Sequence, residues 1–315
     1  MTIKVGIIGA GAIGGWVAAK LALAGHRVSI LARGETRDAI RRDGLVLDEQ
    51  GQSRTALAAV SDDSAALGPQ DLLVIAVKAP SLADAADAAH GMIGADTRIV
   101  PMLNGVPWWF VPGEPLRSVD PDGRIGAALP LAQVIGCVVH AACRRLSPNH
   151  VAVQHADKLI LGEPAGAIGR RVTGLATLFE GAGLRAEPSD NVRRAIWYKL
   201  WGNMTINPIS ALTRATADRL LASEALKPFI LAAMAEAAEV GAAIGCPITE
   251  SGEDRMAVTA RLGAFKTSML QDVEAGRRLE LEALLGAPRE IGERFGIATP
   301  NIDTLYALTK LLDES

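Results

Sequence analysis

The stretch that decides the fold is Ile3-Lys4-Val5-Gly6-Ile7-Ile8-Gly9-Ala10-Gly11-Ala12-Ile13-Gly14, a mostly apolar run followed at once by three glycines. The run from Ile3 to Ile8 predicts a short strand, and the apolar residues from Ala12 to Ala24 predict a helix directly after the turn. A Gly-x-Gly-x-x-Gly turn between a strand and a helix is typical of dinucleotide sites. Its first glycine permits the tight turn, its second lets the backbone approach a pyrophosphate, and its third lets helix and strand touch. The predicted cofactor-binding residues are Gly9, Ala10, Gly11, Ala12, Ile13 and Gly14.

The end of the second predicted strand indicates which dinucleotide is bound. Arg33 lies 19 positions beyond Gly14, just after the strand Arg27–Leu31. An acidic residue there would bind the ribose 2′-hydroxyl of NAD, whereas an arginine can accommodate the 2′-phosphate of NADP. Arg33 therefore predicts NADP(H). Glu35 could take the acidic role if the strand ends late, which keeps NAD open as the alternative.

Two different patterns divide the chain. The first half alternates short apolar runs with amphipathic stretches, as in a parallel sheet with helical crossovers. The predicted strands are Ile3–Ile8, Arg27–Leu31, Asp71–Val77, Thr97–Leu103 and Gln133–Val139, and the predicted helices are Ala12–Ala24 and Ser81–Met92. From about Ser189 onward, the apolar residues recur at helical spacing. Long helices are predicted there over Asn191–Ile206, Leu226–Ile244, Glu253–Gln271 and Glu280–Phe295. We predict an α/β fold, with a Rossmann-type dinucleotide-binding domain over residues 1–188 and an all-helical substrate and catalytic domain over residues 189–315.

Composition restricts the partners. The 315 residues are 49% hydrophobic and 21% charged, with a net charge of -3 and no long basic run, which argues against nucleic acid. The uncharged stretch from Val5 to Ala19 is glycine-rich and shorter than the ~20 residues that span a bilayer, so we expect no membrane partner. Cys137, Cys143 and Cys246 lack Cys-x-x-Cys spacing, so we expect no metal site and a reducing, cytoplasmic location.

Polar or small residues follow three of the predicted strands. Lys78 follows Val77, Asn104 follows Leu103, and His140-Ala141-Ala142 follow Val139. Ligands of open parallel sheets bind beyond the carboxyl ends of the strands, so these residues are expected to face one crevice. For any one of them alone, a strand cap or turn residue is the alternative.

A polar stripe runs along a helix of the second half. Lys199, Asn203 and Asn207 follow one another at intervals of four residues and share one helix face. The same helix is rich in large apolar residues, so we expect the stripe to line an internal cleft rather than to face solvent. Pro208 is expected to kink or end the helix at Asn207. Lys199, beside two amides, is the candidate proton donor.

Together these residues resemble the ketopantoate reductase (2-dehydropantoate 2-reductase) family, over nearly the whole chain. The motifs that carry the resemblance are the Gly9–Gly14 loop, Val77-Lys78-Ala79, Leu103-Asn104-Gly105-Val106, Gly136 through Ala142, Lys199 through Pro208, and Ser268 through Asp272 with Glu280 twelve residues after Ser268.

The resemblance implies NADPH-dependent reduction of a small-molecule 2-oxo acid to a 2-hydroxy acid, with 2-dehydropantoate, a precursor in pantothenate biosynthesis, as the first expectation. It implies that Lys199 donates the proton. The substrate-binding residues that it implies are Asn104, Lys199, Asn203, Asn207 and Ser268. The cofactor contacts that it implies are the Gly9–Gly14 loop, Lys78, Asn104, Ala142 and Glu280.

Two features depart from the family pattern. Ala217 stands ten residues beyond Asn207, where pantothenate enzymes often carry another asparagine. The loop after Asn104 carries Trp108 and Trp109, and we hypothesise that one indole closes over the substrate, while packing at a domain interface or subunit contact is the alternative. These features and Glu35 keep open a related dehydrogenase for a bulkier or aromatic 2-oxo acid, with NAD. A non-catalytic dinucleotide-sensing protein is the alternative from another class, and whether the chain forms a homodimer stays open.

Overall fold

The chain folds into two units, and each of them is built from two separate stretches of sequence. The computed structural model describes residues 2–113 and 115–315. Its first unit comprises Met1–Leu103 and Gly123–Val192, and its second comprises Asn104–Asp122 and Arg193–Ser315. The linear division predicted at 188/189 differs from this, because residues 104–122 belong with the helical unit. A parallel sheet with helices in the first unit and helices in the second confirm the predicted α/β class.

The first unit contains two sheets. Its strands are β1 (Lys4–Ile8), β2 (Arg27–Leu31), β3 (Leu45–Glu49), β4 (Gln52–Ala56), β5 (Ala59–Ser61), β6 (Leu72–Ile75), β7 (Arg98–Pro101), β8 (Gly136–Ser147), β9 (His150–Gly162) and β10 (Ala186–Pro188). Its helices are α1 (Ala12–Leu23), α2 (Gly34–Asp43), α3 (Ser64–Leu67), α4 (Leu82–Ala88), α5 (Arg124–Ala128) and α6 (Arg170–Gly181), with 3₁₀ turns at Ala79–Ser81, Ala89–Met92 and Leu131–Gln133.

The main sheet is parallel, with the strand order β5-β2-β1-β6-β7. All four residues of β6 are buried, which explains its unbroken apolar sequence. Ile8 at the end of β1 pairs with Leu31 of β2 and with Ile75 of β6. The carboxyl ends of these strands therefore meet at one edge, which positions the residues that follow them.

The second sheet corrects one predicted strand. Instead of the strand Gln133–Val139, the chain forms a 3₁₀ turn at Leu131–Gln133 and then β8, which runs on to Ser147. β8 pairs antiparallel with β9 in a sheet of order β10-β9-β3-β4, with β8 on β9. This hairpin supplies partners for β8 well past Val139, so His140-Ala141-Ala142 lie within a strand, at shifts in its pairing register, and not after a strand end.

The second unit is helical. Its helices are α7 (Val192–Thr213, which begins one residue before the unit), α8 (Ala217–Leu221), α9 (Lys227–Ala243), α10 (Gly252–Ala260), α11 (Ser268–Glu274), α12 (Ala287–Arg294) and α13 (Pro300–Asp313). A π-helical turn, Glu282–Gly286, leads into α12. The helix predicted over Glu253–Gln271 is thus two helices, α10 and α11.

α7 does not end at Asn207, because it continues through Pro208 to Thr213. A proline inside a helix costs about 3 kcal/mol, since it removes a hydrogen bond and crowds the preceding turn. Pro208 and the residues around it are buried, and burial of an apolar segment outweighs a local penalty of this size.

Aromatic residues hold the core of the second unit. The indole N–H groups of Trp197 and Trp201 on α7 donate to the carbonyls of Ala237 and Met234 on α9, at 3.0 and 2.7 Å. Phe110, from the segment 104–122, stacks on Trp197 with ring centroids 5.8 Å apart. These contacts explain why that segment belongs to the helical unit.

Candidate active site

The glycine loop of the first unit has the geometry that a pyrophosphate site needs. Gly9 has a φ of +94°, and a Cβ there would lie 2.6 Å from the Ala76 carbonyl oxygen. A Cβ at Gly14 would lie 2.0 Å from the carbonyl oxygen of Gly9, so helix and turn touch only because Gly14 has no side chain. A Cβ at Gly11 would meet no heavy atom within 4 Å. Gly11 therefore leaves its backbone open to a ligand.

The start of α1 is electrostatically suited to an anion. Gly11 is the N-cap residue of this 12-residue helix, no side chain caps it, and no acidic residue lies in its first turn. The first N–H groups of a helix have no partner within the helix and carry the positive end of its dipole. Ala12 and Ile13 offer such groups beside the open face of Gly11, so these residues fit the pyrophosphate of a dinucleotide.

Positive charge collects at the end of β2. Arg33 is exposed and is the N-cap residue of α2. Arg145 of β8 donates from Nη2 to the Thr36 hydroxyl at 2.7 Å and so brings a second cation to the first turn of α2. Glu35 is also exposed in that turn, where a carboxylate favours the helix dipole. Sequence reasoning missed Arg145, because its place depends on the length of the β8–β9 hairpin.

Lys78 and Ala142 occupy different settings in the first unit. Lys78 is half-buried, follows β6, and is the N-cap residue of the 3₁₀ turn Ala79–Ser81. It therefore lies at the same edge of the main sheet as Gly9. Ala142 is exposed on β8, opposite His155 of β9.

In the second unit three predicted site residues form a hydrogen-bonded chain. The ammonium of Lys199 donates to Oδ1 of Asn104 at 3.0 Å. Nδ2 of Asn104 donates in turn to Oε2 of Glu280 at 3.3 Å. Lys199 and Asn104 are half-buried, whereas Glu280 is only 4% exposed. Asn104 thus links a cation to a buried carboxylate and fixes where the ammonium lies.

The residues after Asn104 hold it in place. Gly105 has a φ of +78°, and a Cβ there would lie 2.4 Å from the carbonyl oxygen of Ala283. The Val106 N–H donates to that same oxygen at 2.8 Å. Ala283 belongs to the π-helical turn Glu282–Gly286 that begins just after Glu280. The close approach permitted by Gly105 therefore sets Asn104 beside Glu280.

Three other predicted substrate residues keep their side chains available. Asn203 is half-buried and Asn207 is 7% exposed, both on α7, and Ser268 is the first residue of α11. Over residues 2–113 and 115–315, these three side chains form no hydrogen bond with another protein group, and none of their polar atoms is fully shielded from water. The structure thus joins Lys199 to Asn104 and Glu280, while the amides of the stripe stay free for a ligand.

The tryptophan loop is part of the core of the second unit. Trp108 and Trp109 are 6% and 7% exposed, and Phe110 is fully buried. Phe110 lies between the ring of Trp197 and the guanidinium of Arg193, which is 5.4 Å from its ring centroid. The Trp109 indole nitrogen is buried without an acceptor. These positions disfavour an indole that closes on a substrate. They put the pair in the core of the second unit, which neither that hypothesis nor its alternative of a domain or subunit contact predicted.

Neither a metal cluster nor a membrane span is found in the part of the chain that the structure describes. No group of three or more His, Cys, Asp or Glu side chains could hold a metal ion there. No helix there combines the length and apolar character needed to cross a bilayer.

Comparison with known proteins covers almost the entire chain. Residues 5–166 match the family model "Ketopantoate reductase PanE/ApbA", and residues 191–313 match "Ketopantoate reductase PanE/ApbA C terminal". The chain is 40% identical to a 2-dehydropantoate 2-reductase of Mesorhizobium japonicum, over 98% of both proteins. The crystal structure of a putative ketopantoate reductase from Ralstonia solanacearum MolK2 superposes on this chain with a TM-score of 0.95 and 50% sequence identity, over 99% of this chain and 98% of that one. A D-mandelate dehydrogenase solved with NADH and anilino(oxo)acetate shares the fold, with a TM-score of 0.86, 22% identity and coverage of 99% and 98%.

Proposed function

Because this chain belongs to the ketopantoate reductase family, an oxidoreductase family, we propose that it reduces 2-dehydropantoate to pantoate with NADPH. The observation that carries the proposal is the chain of hydrogen bonds from the Lys199 ammonium through Asn104 to the buried Glu280. This arrangement supports Lys199 as the proton donor, because an ammonium with a fixed acceptor has the defined orientation that the reduction of a ketone requires. We also place the protein in the cytoplasm, where a reducing environment keeps its three thiols free.

The first unit holds the cofactor in this proposal. Gly11 and the start of α1 would hold the pyrophosphate, because open backbone and unpaired N–H groups are available there. Arg33 and Arg145 both stand at the first turn of α2, where the ribose 2′-phosphate would extend, and two cations there favour NADPH over NADH. When bound, the nicotinamide supplies the hydride.

Lys199 performs the acid chemistry. As the ketone carbon gains a hydride, negative charge develops on its oxygen, and a nearby ammonium stabilises that charge before donating a proton to it. Glu280 accepts from Nδ2 of Asn104, which turns Oδ1 of that amide towards Nζ of Lys199. Asn104, oriented by Glu280, thereby holds the ammonium in place before the substrate arrives. The neutral amine left afterwards regains its proton from water.

The free side chains of the second unit bind the substrate. Asn203, Asn207 and Ser268 offer amide and hydroxyl groups to the polar groups of the substrate. Ala217, where the family often has an asparagine, is buried and offers no polar group, which favours a related, bulkier 2-oxo acid as the second candidate. The buried tryptophan pair gives that second candidate no support.

The deciding experiment follows NADPH and NADH oxidation by the parent protein against ketopantoate, phenylglyoxylate and pyruvate. Lys199→Ala is expected to lower kcat at least ~100-fold with NADPH affinity unchanged, as for the loss of a general acid. Lys310→Ala, at an exposed position of α13, is the matched control and should keep the parental kcat. A Lys199→Ala variant that keeps more than a tenth of the parental kcat would show that another group donates the proton.

A further inference from the structure

An arginine from α10 fills the place of a missing side chain on α7. A Cβ at Gly202 would lie 2.4 Å from Nη2 and 2.6 Å from Cζ of Arg255. The guanidinium carbon also lies 5.4 Å from the ring centroid of Tyr198. Arg255 therefore rests directly against the α7 backbone, in a position that only a glycine at 202 leaves open.

This position lies against α7 at Gly202, three residues after the candidate proton donor Lys199. Side chains of a helix lean towards its N-terminus and cover the residues three and four positions earlier. For position 202 those residues are Lys199 and Tyr198. Because Arg255 occupies the space of a side chain at 202, its charge stands beside the helical turn that carries Lys199.

Among the described residues, no carboxylate compensates the charge of Arg255. Nη1 donates to the Thr259 hydroxyl at 2.7 Å, but Nη2 has no acceptor in the described chain and Nε is buried without one. No carboxylate within the described ranges forms an ion pair with this half-buried guanidinium, and nearby Asp254 bonds instead to the Ser251 hydroxyl at 2.7 Å. Burial lowers the pKa of Arg255, as expected for a cation without an anionic neighbour. A shielded charge of this kind is unfavourable until an anion pairs with it.

We propose that Arg255 binds the carboxylate of the substrate and so selects 2-oxo acids over neutral carbonyl compounds, an inference that rests on the proposed reductase function. A guanidinium matches a carboxylate in shape and charge, and such pairs are among the stronger hydrogen-bonded contacts. The ammonium of Lys199 is then left for the ketone oxygen. Arg255 is a specificity-determining residue, distinct from the proton donor.

The test compares Arg255→Met with the parent on ketopantoate and on its neutral methyl ester. The kcat/KM for the acid is expected to fall at least ~10-fold, mainly through KM, while that for the ester and the affinity for NADPH stay unchanged. Arg255→Lys should lie between the two. Arg219→Met, which removes an exposed arginine of α8, is the matched control for charge and should leave the ratio of acid to ester unchanged.

A second variant keeps the arginine but moves it. Gly202→Ala would push the guanidinium away from α7, and it should lower the same ratio in the same direction. Combined with Arg255→Met it should add nothing, since the two changes disturb one interaction. An unchanged ratio of acid to ester in Arg255→Met would overturn the proposal, even if the melting temperature falls. A loss of NADPH affinity with an unchanged KM would overturn it as well, because the anion would then be the cofactor.

Calorimetric binding of oxamate, an unreactive carboxylate analogue of a 2-oxo acid, separates this inference from the proposed function. Oxamate should bind the parent protein and bind Arg255→Met at least ~10-fold more weakly. If the parent reduced no 2-oxo acid yet bound oxamate through Arg255, the proposed function would fail and the carboxylate site would stand. If oxamate affinity did not depend on Arg255, the carboxylate site would fail whatever the parent reduces.

Discussion

Gly105→Ala tests whether a close backbone approach holds the Asn104 amide in place. Gly105 has a φ of +78°, and the new Cβ would lie 2.4 Å from the carbonyl oxygen of Ala283. The left-handed conformation costs a non-glycine residue about 1–2 kcal/mol. The backbone oxygen cannot move aside as a flexible side chain would, so the loop must shift and stretch the hydrogen bond from Val106 N–H, worth about 0.5–1.5 kcal/mol. We expect a total destabilisation of about 2–4 kcal/mol from these two effects together with residual crowding.

Gly245→Ala is the matched control. Gly245 has a φ of +75°, but a Cβ there would meet no heavy atom within 4 Å. Its alanine variant therefore carries the conformational strain without the collision, and the difference between the variants isolates the close approach. Because Asn104 precedes Gly105, only Gly105→Ala should also lower kcat/KM, by at least ~10-fold, as the acceptor of the Lys199 ammonium moves.

The assay is chemical denaturation of both variants and the parent, followed by circular dichroism, together with steady-state kinetics. A chain of two units need not unfold in one step, so the midpoint of each transition is compared separately. Equal midpoints for the two alanine variants would refute the argument from the Ala283 contact. A destabilised Gly105→Ala variant with parental kcat/KM would refute the claim that the contact positions Asn104.

Three further outcomes follow from the structure. Arg33→Ala should reduce the preference for NADPH over NADH by about 1–3 kcal/mol, measured by fluorescence titration of both nucleotides, and equal affinities in the parent would favour Glu35 and NAD instead. Burial would raise the pKa of Glu290, but hydrogen bonds from the N–H and hydroxyl of Ser118 hold that pKa below its ordinary value. The Glu290 carboxylate therefore stabilises the fold fully at pH values above the ordinary carboxyl pKa, and this stabilisation is lost as the pH falls through the lowered pKa. Glu290→Gln should therefore destabilise the protein by about 1–3 kcal/mol in denaturation at neutral pH, and a loss that stays constant down to about pH 3 would contradict this assignment. Trp108→Ala should lower the free energy of unfolding by about 3–5 kcal/mol in the same assay. It should leave the ratio of kcat/KM for ketopantoate over phenylglyoxylate unchanged, and a changed ratio would indicate that the loop contacts the substrate.

Much of the candidate site could be predicted because its signals are local. The turn from Gly9 to Gly14 is specified by a short apolar run, by glycine sterics and by an adjoining helix, all within a few residues. The shared face of Lys199, Asn203 and Asn207 follows from the helical repeat alone. The structure bears out the helix over these residues and brings Lys199 together with Asn104 and Glu280.

Other features depend on which distant segments come together. The extension of β8 beyond Val139 requires β9 as its partner, and no pattern within residues 133–139 contains that information. The passage of α7 through Pro208 reverses a local preference, because the burial of its surroundings outweighs the loss of one helical hydrogen bond. The burial of the tryptophan pair was equally undetermined, since the same residues suit a core and a ligand pocket.

The sequence by itself determined the glycine turn, the α/β class and the lysine stripe, because periodicity and glycine sterics act over a few residues. Only the tertiary structure decided that Asn104 bridges Lys199 and Glu280, which lie 95 and 176 positions away from it along the chain. It also decided that Arg255 fills the space beside Gly202. Such contacts depend on how buried surfaces pack across the whole unit, and the free energy of that packing is shared among residues that no local window of sequence contains.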